Sequence, residues 1–231
     1  MPLGMGLTMY LLQRKERNGM AFPQKLIDGY RQFHDNRLPR EQARFRQLAE
    51  AGQKPQSMII GCVDSRVAPE VIFDTGPGEL FVLRNVANLV PPYAPDDRLH
   101  GVSAALEFAI HGLGIENIIV LGHARCGGVK AYAENMPALS SSDFIGKWVS
   151  LIKPASDGLG PRNDQPMDSY LVRLEQASIL ASLNNLLSFP WINSRVQNNS
   201  LQLHAAYFDV ANGQLSVGDA KSGLFTPAAG G

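Results

Sequence analysis

Cys62 ends the apolar run of "IIGCVDSR", residues 59–66, and is followed at two-residue steps by Asp64 and Arg66. The only other cysteine, Cys126, lies in "VLGHARCGG", residues 120–128, three residues beyond His123. Two thiolates and one imidazole are a donor set that Zn²⁺ prefers, and three protein ligands leave a tetrahedral ion one open position. His-x-x-Cys places two donors within reach of one ion, while Cys62 would approach from a separate loop. An arginine beside a carboxylate keeps it ionised and fixes its orientation. Asp64 could then accept a hydrogen bond from a metal-bound water, or itself take the fourth position. The residues alone leave blander uses open: a buried thiol near a satisfied core histidine, a lone disulfide, or an Asp64–Arg66 bridge that only caps a helix starting near Pro69.

Other chemistries fit these residues less well. Cys62 and Arg66 are too close in sequence to frame a phosphatase anion cradle. A dithiol redox centre wants Cys-x-x-Cys, and a zinc deaminase wants His-x-Glu with Pro-Cys-x-x-Cys; neither pattern is present. His34, His100, His111 and His204 lack metal-ligand spacing. The chain carries 21 Lys plus Arg against 21 Asp plus Glu, a net charge of zero. Nucleic-acid binding usually needs a basic excess, so it is not expected. No apolar run approaches the ~18 residues of a membrane span. Two cysteines in a chain of this size are no disulfide framework, and reduced thiols suit a cytoplasmic protein.

The chemistry-bearing residues need elements to bring them together. Apolar runs at 57–62, 80–85 and 117–123 alternate with helical patterns, among them the small-residue stretch 100–113. Apolar strands separated by helices predict a parallel sheet covered on both faces. In such sheets ligands gather outside the carboxyl ends of the strands, where Cys62, His123 and Cys126 all fall. A helix follows Gly128 to about Asn135, the Pro- and Gly-rich segment 154–166 reads as a loop, and 167–187 as a helix. Residues 201–210 and 214–218 flank Asn212-Gly213 as a hairpin. Residues 24–50 form a charged helical arm broken near Pro39, with Leu26, Ile27, Tyr30 and Phe33 at helical spacing. Residues 1–19 are expected to be a disordered extension ahead of Met20, and 20–225 a single α/β domain that includes the arm. Its mostly parallel central sheet is expected to have four to five strands flanked by helices.

"CVDSR" followed by "GHARCGG" resembles the β-class carbonic anhydrases, with their Cys-x-Asp-x-Arg motif and later His-x-x-Cys. The likeness runs from about Lys25 to Leu215, includes "PGELFVLRNVANLVPP" at 77–92, and is closest to the plant-type subgroup. It implies reversible hydration of carbon dioxide to bicarbonate and a proton by a zinc-bound hydroxide, with one Zn²⁺ per chain. Carried over, Cys62, His123 and Cys126 are zinc ligands and Asp64 and Arg66 the catalytic dyad. Gln53, Phe81 and Val86 line the substrate pocket. Phe108 stands where many relatives carry tyrosine, which leaves any hydroxyl role there unfilled. The resemblance also implies a homodimer or homotetramer, with the arm at 24–50 embracing the partner. Some relatives close the site by swinging the dyad aspartate onto the metal. Those inhibited by bicarbonate hold it with a tryptophan three residues before the first cysteine and an arginine of the later segment. Arg84 is present here, but Ile59 offers no side-chain N–H, so an open site is expected. A hydrolase for carbonyl sulfide or carbon disulfide, and a non-catalytic zinc scaffold, share the same ligand set.

Overall fold

The computed structural model describes residues 22–228; the expected extension at 1–19 lies outside them. The chain divides at Gly52 into two units. In the first, α1 (Gln24–Gln32) runs through a π-helical turn (Phe33–Arg37) into α2 (Leu38–Ala51). The irregularity falls just ahead of Pro39, which sits in the first turn of α2, where a missing N–H breaks no helical bond. Phe33 and Phe45 meet edge to face at 6.0 Å. No residue of α1 or α2 is buried, and Leu26 and Tyr30 are exposed.

The second unit alternates strand and helix: β1 (Ser57–Cys62), α3 (Pro69–Ile72), β2 (Leu80–Asn85), α4 (Gly101–Glu107) with a π turn to Leu113, and β3 (Asn117–His123). Then come α5 (Gly127–Ala133), α6 (Phe144–Val149), α7 (Lys153–Leu159), α8 (Met167–Leu186), α9 (Pro190–Gln197), β4 (Gln202–Phe208), β5 (Leu215–Gly218) and β6 (Phe225–Pro227). The sheet order is β2-β1-β3-β4-β5-β6. The first four strands are parallel, and β5 and β6 are antiparallel additions. Alternating side chains divide β1 between two cores. Met58 and Ile60 join Leu106, Ile179, Leu186 and Ile192 under the helices. Ile59 faces the other way, into a smaller cluster with Leu121 and Ala206.

The strands expected at 57–62, 80–85 and 117–123 are those observed, and the hairpin turns at Gly213 with φ 75°. The sheet has six strands among the described residues, not four to five. The extra one, β6, is three residues long and ends at Pro227, too short to show an alternating pattern. Part of the segment expected to be a loop at 154–166 is helical, as α7. Its Pro154 lies in the first turn, where proline favours a helix rather than ending one. The short helices α6 and α9 were not expected, the latter again beginning on a proline.

Gly122 of β3 permits α8 to lie close to the sheet. A Cβ there would come within 2.5 Å of Ile179 Cδ1, in a fully packed core. Gly122→Ala is therefore expected to cost about 1–3 kcal/mol by overpacking. Adding Ile179→Val, which removes the clashing methyl, should recover part of that loss. Urea denaturation midpoints at unchanged slope measure both effects.

Candidate metal centre

The chain leaves β1 to build β2 on one side and then returns to place β3 on the other. Loops leaving the carboxyl ends of β1 and β3 must part there, which opens a crevice. Gly61 pairs with Leu121, so Cys62 stands at the level of Gly122, one residue from His123. Sγ of Cys62, Sγ of Cys126 and a ring nitrogen of His123 all lie within 4.8 Å of one another, and each residue is at least 96% buried. His123 Nδ1 lies 2.9 Å from the Ala124 carbonyl oxygen. A carbonyl can only accept, so the proton sits on Nδ1 and Nε2 carries the lone pair. That Nε2 is buried without a hydrogen-bond partner, a costly arrangement for a protein interior. An orphaned imidazole nitrogen beside two free thiols fits a tetrahedral Zn²⁺ site with one position left over.

The electrostatics of the two sulfurs differ. The Cys62 thiol is lowered to about 4, first by the hydrogen bond from Cys126, then against burial by His123 and the amides of Asp64 and Ala87. Cys126 is pushed up by that same bond and by burial, with the Gly128 and Val129 amides opposing. One shared hydrogen bond thus favours ionisation of Cys62 and opposes that of Cys126. Burial would lower His123, but the adjacent Cys62 sulfur outweighs this and raises it. Zinc takes cysteine as thiolate, so metal binding at such a cluster releases thiol protons.

Asp64 lies beside the cluster with its side chain 19% exposed. Its Oδ1 accepts from the Arg66 backbone N–H at 3.0 Å and from Arg66 Nε at 2.9 Å, while Oδ2 accepts from Nη2 at 2.7 Å. The guanidinium beside it holds the Asp64 carboxyl well below the usual carboxylate range. Arg66 Nη2 also donates to the Arg125 carbonyl at 3.2 Å, which ties the first ligand loop to the second. Neither residue caps α3. Ala68 occupies its N-cap and no side chain bonds there. Arg84 is spent on the same turn, donating from Nε to the Cys62 carbonyl at 2.8 Å and from Nη2 to that of Asp64 at 2.6 Å.

A second tight turn packs under the sulfurs. Ala87 and Asn88 are left-handed, with φ 62° and 49°, and both are buried. The Asn85 side chain brackets them, giving Nδ2–H to the Leu89 carbonyl and accepting the Leu89 N–H, each at 2.8 Å. Trp148 Nε1 donates to the Val86 carbonyl at 2.8 Å. Gly128 is required where α5 meets this turn, since a Cβ would come within 2.7 Å of Val86 Cγ1 and 3.0 Å of Ala87 Cβ. Val86 thus packs against the cluster that contains Cys62 and Cys126.

The other expected pocket residues are elsewhere in the chain. Phe81 and Phe108 meet at a tilt of 41° with ring centroids 6.0 Å apart, but Phe81 pairs with Met58, four residues before Cys62 and about 13 Å away along the strand. Gln53 is exposed ahead of β1. Some contributors had escaped sequence reasoning: the Arg84 brace, the Asn85 bracket, Trp148, and the buried pair Glu175 and Tyr207. Tyr207 donates to Glu175 Oε2 at 2.7 Å, and Glu175 Oε1 accepts the Cys126 N–H at 2.9 Å. Burial pushes Glu175 up against these two bonds. One signal for it existed: a glutamate at an apolar-stripe position among Leu171, Leu174, Ser178 and Ile179, where charge is uncommon.

The family model described as "Carbonic anhydrase" matches residues 57–215. Beta carbonic anhydrase 3 of Arabidopsis thaliana is 34% identical over 210 residues, covering 89% of this chain and 80% of that protein. Beta carbonic anhydrase 5, chloroplastic, of the same plant is 40% identical over 168 residues, covering 71% of this chain and 54% of that protein. The chain thus spans about half the length of that second relative. The solved β-carbonic anhydrase CcaA superposes with a TM-score of 0.83 at 29% identity, covering 90% of this chain and 92% of that one. A buried Cys-His-Cys donor set at the β1/β3 crevice, in a chain matched over most of its length, places this protein in the β-carbonic anhydrase family.

Proposed function

We propose that this chain catalyses the reversible hydration of CO₂ to bicarbonate and a proton, using one zinc ion held by Cys62, His123 and Cys126. The observation that carries this reading is the buried, partnerless Nε2 of His123 among two sulfurs, next to a clamped carboxylate. Zinc, when bound, supplies a Lewis acid that makes water a competent nucleophile near neutral pH.

Asp64 is the orienting group. A carboxylate offers about four acceptor sites; Arg66 occupies two on Oδ1 and one on Oδ2. The site left on Oδ2 can accept the retained proton of the reacting water and aim its oxygen at carbon. Asp64 is held too acidic to take a proton itself at neutral pH, so it orients and does not act as base. Arg66 keeps that carboxylate charged and turned. The proton of the reaction leaves to solvent and buffer.

CO₂ is small and apolar and needs an apolar wall with one polar guide. Val86 offers wall in the same chain, whereas Gln53, Phe81 and Phe108 lie apart from the sulfurs. A second copy is proposed to bring them to the site, as a homodimer or homotetramer, with residues 24–50 as the embracing arm of one domain spanning 20–225. The absence of any buried residue in α1 and α2 supports this. Two free thiols support a reducing, cytoplasmic setting. No helix among the described residues is long and apolar enough to cross a membrane.

Elemental analysis of chelator-free protein should give about one zinc per chain. Asp64→Asn should keep that zinc and lose ~10²-fold in turnover, as loss of one preorganised electrostatic element usually does. Stopped-flow CO₂ hydration, with carbonyl sulfide alongside, reads this. Turnover near wild type in Asp64→Asn would remove Asp64 from the mechanism.

Two thiolates nearly neutralise Zn²⁺, so the nucleophile should be less acidic than at a site with neutral ligands. Hydration rates are expected to climb from neutral into mildly alkaline pH, while Asp64 stays ionised throughout. A rate profile flat from neutral pH upward would contradict this. Bicarbonate should inhibit hyperbolically, as a competing product, because Arg84 is engaged with two carbonyls and Ile59 has no side-chain donor. Sigmoidal inhibition would show an anion pocket that these contacts do not provide.

A further inference from the structure

Glu175 sits on α8 and is 3% exposed, yet no ion pair among the described residues includes it. A carboxylate withdrawn from water without a cation is costly unless both oxygens are satisfied. Here they are, and one of the partners is a backbone amide of the metal centre. Oε1 accepts the Cys126 N–H at 2.9 Å, and Oε2 accepts the Tyr207 hydroxyl at 2.7 Å. Tyr207 is itself buried on β4, paired with Gly122. The close approach of Ile179 to Gly122, one helical turn along α8, sets the height at which Glu175 meets the loop.

The amide that Glu175 holds follows a strained residue. Arg125 has φ 59°, a conformation that costs a residue with a side chain some free energy and persists only where its neighbours enforce it. The peptide unit is planar, so fixing the direction of the Cys126 N–H fixes the plane by which the chain enters Cys126. From that plane the Cys126 side chain projects toward Cys62 and His123. His123, Arg125 and Cys126 thus form a rigid turn whose geometry depends on an acceptor supplied from a helix about fifty residues later in the chain.

We propose that Glu175 is a positioning residue of the metal centre: with Tyr207 orienting it, its carboxylate locks the Cys126 amide and presets the sulfur for zinc. This rests on Cys126 being a zinc ligand. Partners that orient a ligand typically affect metal affinity by roughly 10–100-fold when removed.

Two substitutions of similar size separate the acceptor from mere packing. In Glu175→Gln the amide oxygen can still accept from Cys126 while its NH₂ donates to the Tyr207 oxygen. In Glu175→Met no acceptor remains. Zinc affinity, measured by competition with a chromophoric chelator, should stay close to wild type in Glu175→Gln and fall roughly 10–100-fold in Glu175→Met. The thiolate-to-cobalt charge-transfer bands of the Co²⁺ form should shift only in Glu175→Met. A purely structural role would lower the melting temperature of the metal-free protein while leaving affinity and spectrum unchanged. That outcome overturns the inference.

If Glu175→Met does not fold, Tyr207→Phe keeps the carboxylate but frees it to turn. It should then release zinc to the chelator several-fold faster than wild type, and a wild-type release rate overturns the proposal. The unmodified protein is the reference: if it binds no zinc, the reading beneath the inference fails. If it binds zinc and both variants match it, only the inference fails.

Discussion

Burying two sulfurs and an imidazole nitrogen against one another is the constraint around which this fold is arranged. In water each of these groups would find its own partners. At the carboxyl ends of β1 and β3 the sulfurs draw on each other and on nearby backbone amides, and His123 Nε2 is left without a hydrogen-bond partner. Such a cluster is tolerable in a protein interior only if something electrophilic completes it or the surroundings hold it rigid. The surroundings do hold it. Arg84 ties down the carbonyls of Cys62 and Asp64, the Ala124 carbonyl sets the tautomer of His123, and Glu175 holds the Cys126 amide. Three separate groups thus each restrain one donor or its backbone. Left-handed backbone at Ala87, Asn88 and Arg125 is concentrated in the turns that touch the cluster, as expected where surrounding contacts over-determine the chain.

Charge is divided with similar economy. Cys62 is the low-pKa member of the thiol pair, and Cys126 the high-pKa one, because a single hydrogen bond joins them. Asp64 adds a third acidic group within a few residues. Ionised Cys62 and Asp64 would repel one another if left alone. Arg66 resolves this by taking three of the acceptor sites of Asp64 while also reaching the Arg125 carbonyl. Its guanidinium therefore stands between the two ligand loops as well as beside the carboxylate. Lysine could supply the charge but not the planar fork that engages both oxygens, so arginine is the residue this geometry requires.

How far the sequence discloses this depends on the range of the interaction. Cys62, Asp64 and Arg66 act through a local turn, and His123 and Cys126 through a spacing of three; both patterns are visible without a fold. Strand ends were legible because β1 and most of β3 are buried and read as unbroken apolar runs. Contacts across long sequence separations were not. Nothing local marks Arg84 as a brace rather than an anion site, since its partners are backbone carbonyls with no residue signature. Glu175 was visible only as an oddity in an apolar stripe. The Pro-led helices α7 and α9 were obscured because proline marks a helix start as readily as a loop, and β6 was too brief to have a period.

The same distinction bears on where the substrate wall comes from. Spacing places Phe81 only a few residues before Val86, and a list of pocket residues makes them neighbours. A strand keeps them apart: at about 3.3 Å per residue, five positions are some 16 Å, and Phe81 meets Phe108 at the far end. The metal donors and the Asp64–Arg66 pair therefore come together within one chain, whereas Phe81 and Phe108 lie apart from them. On the opposite sheet face Ile59, Leu121 and Ala206 are buried, with Val82, Ile119 and Leu215 half-buried beside them. The donor cluster thus forms within one chain, and the proposed second copy would supply what lies apart from it.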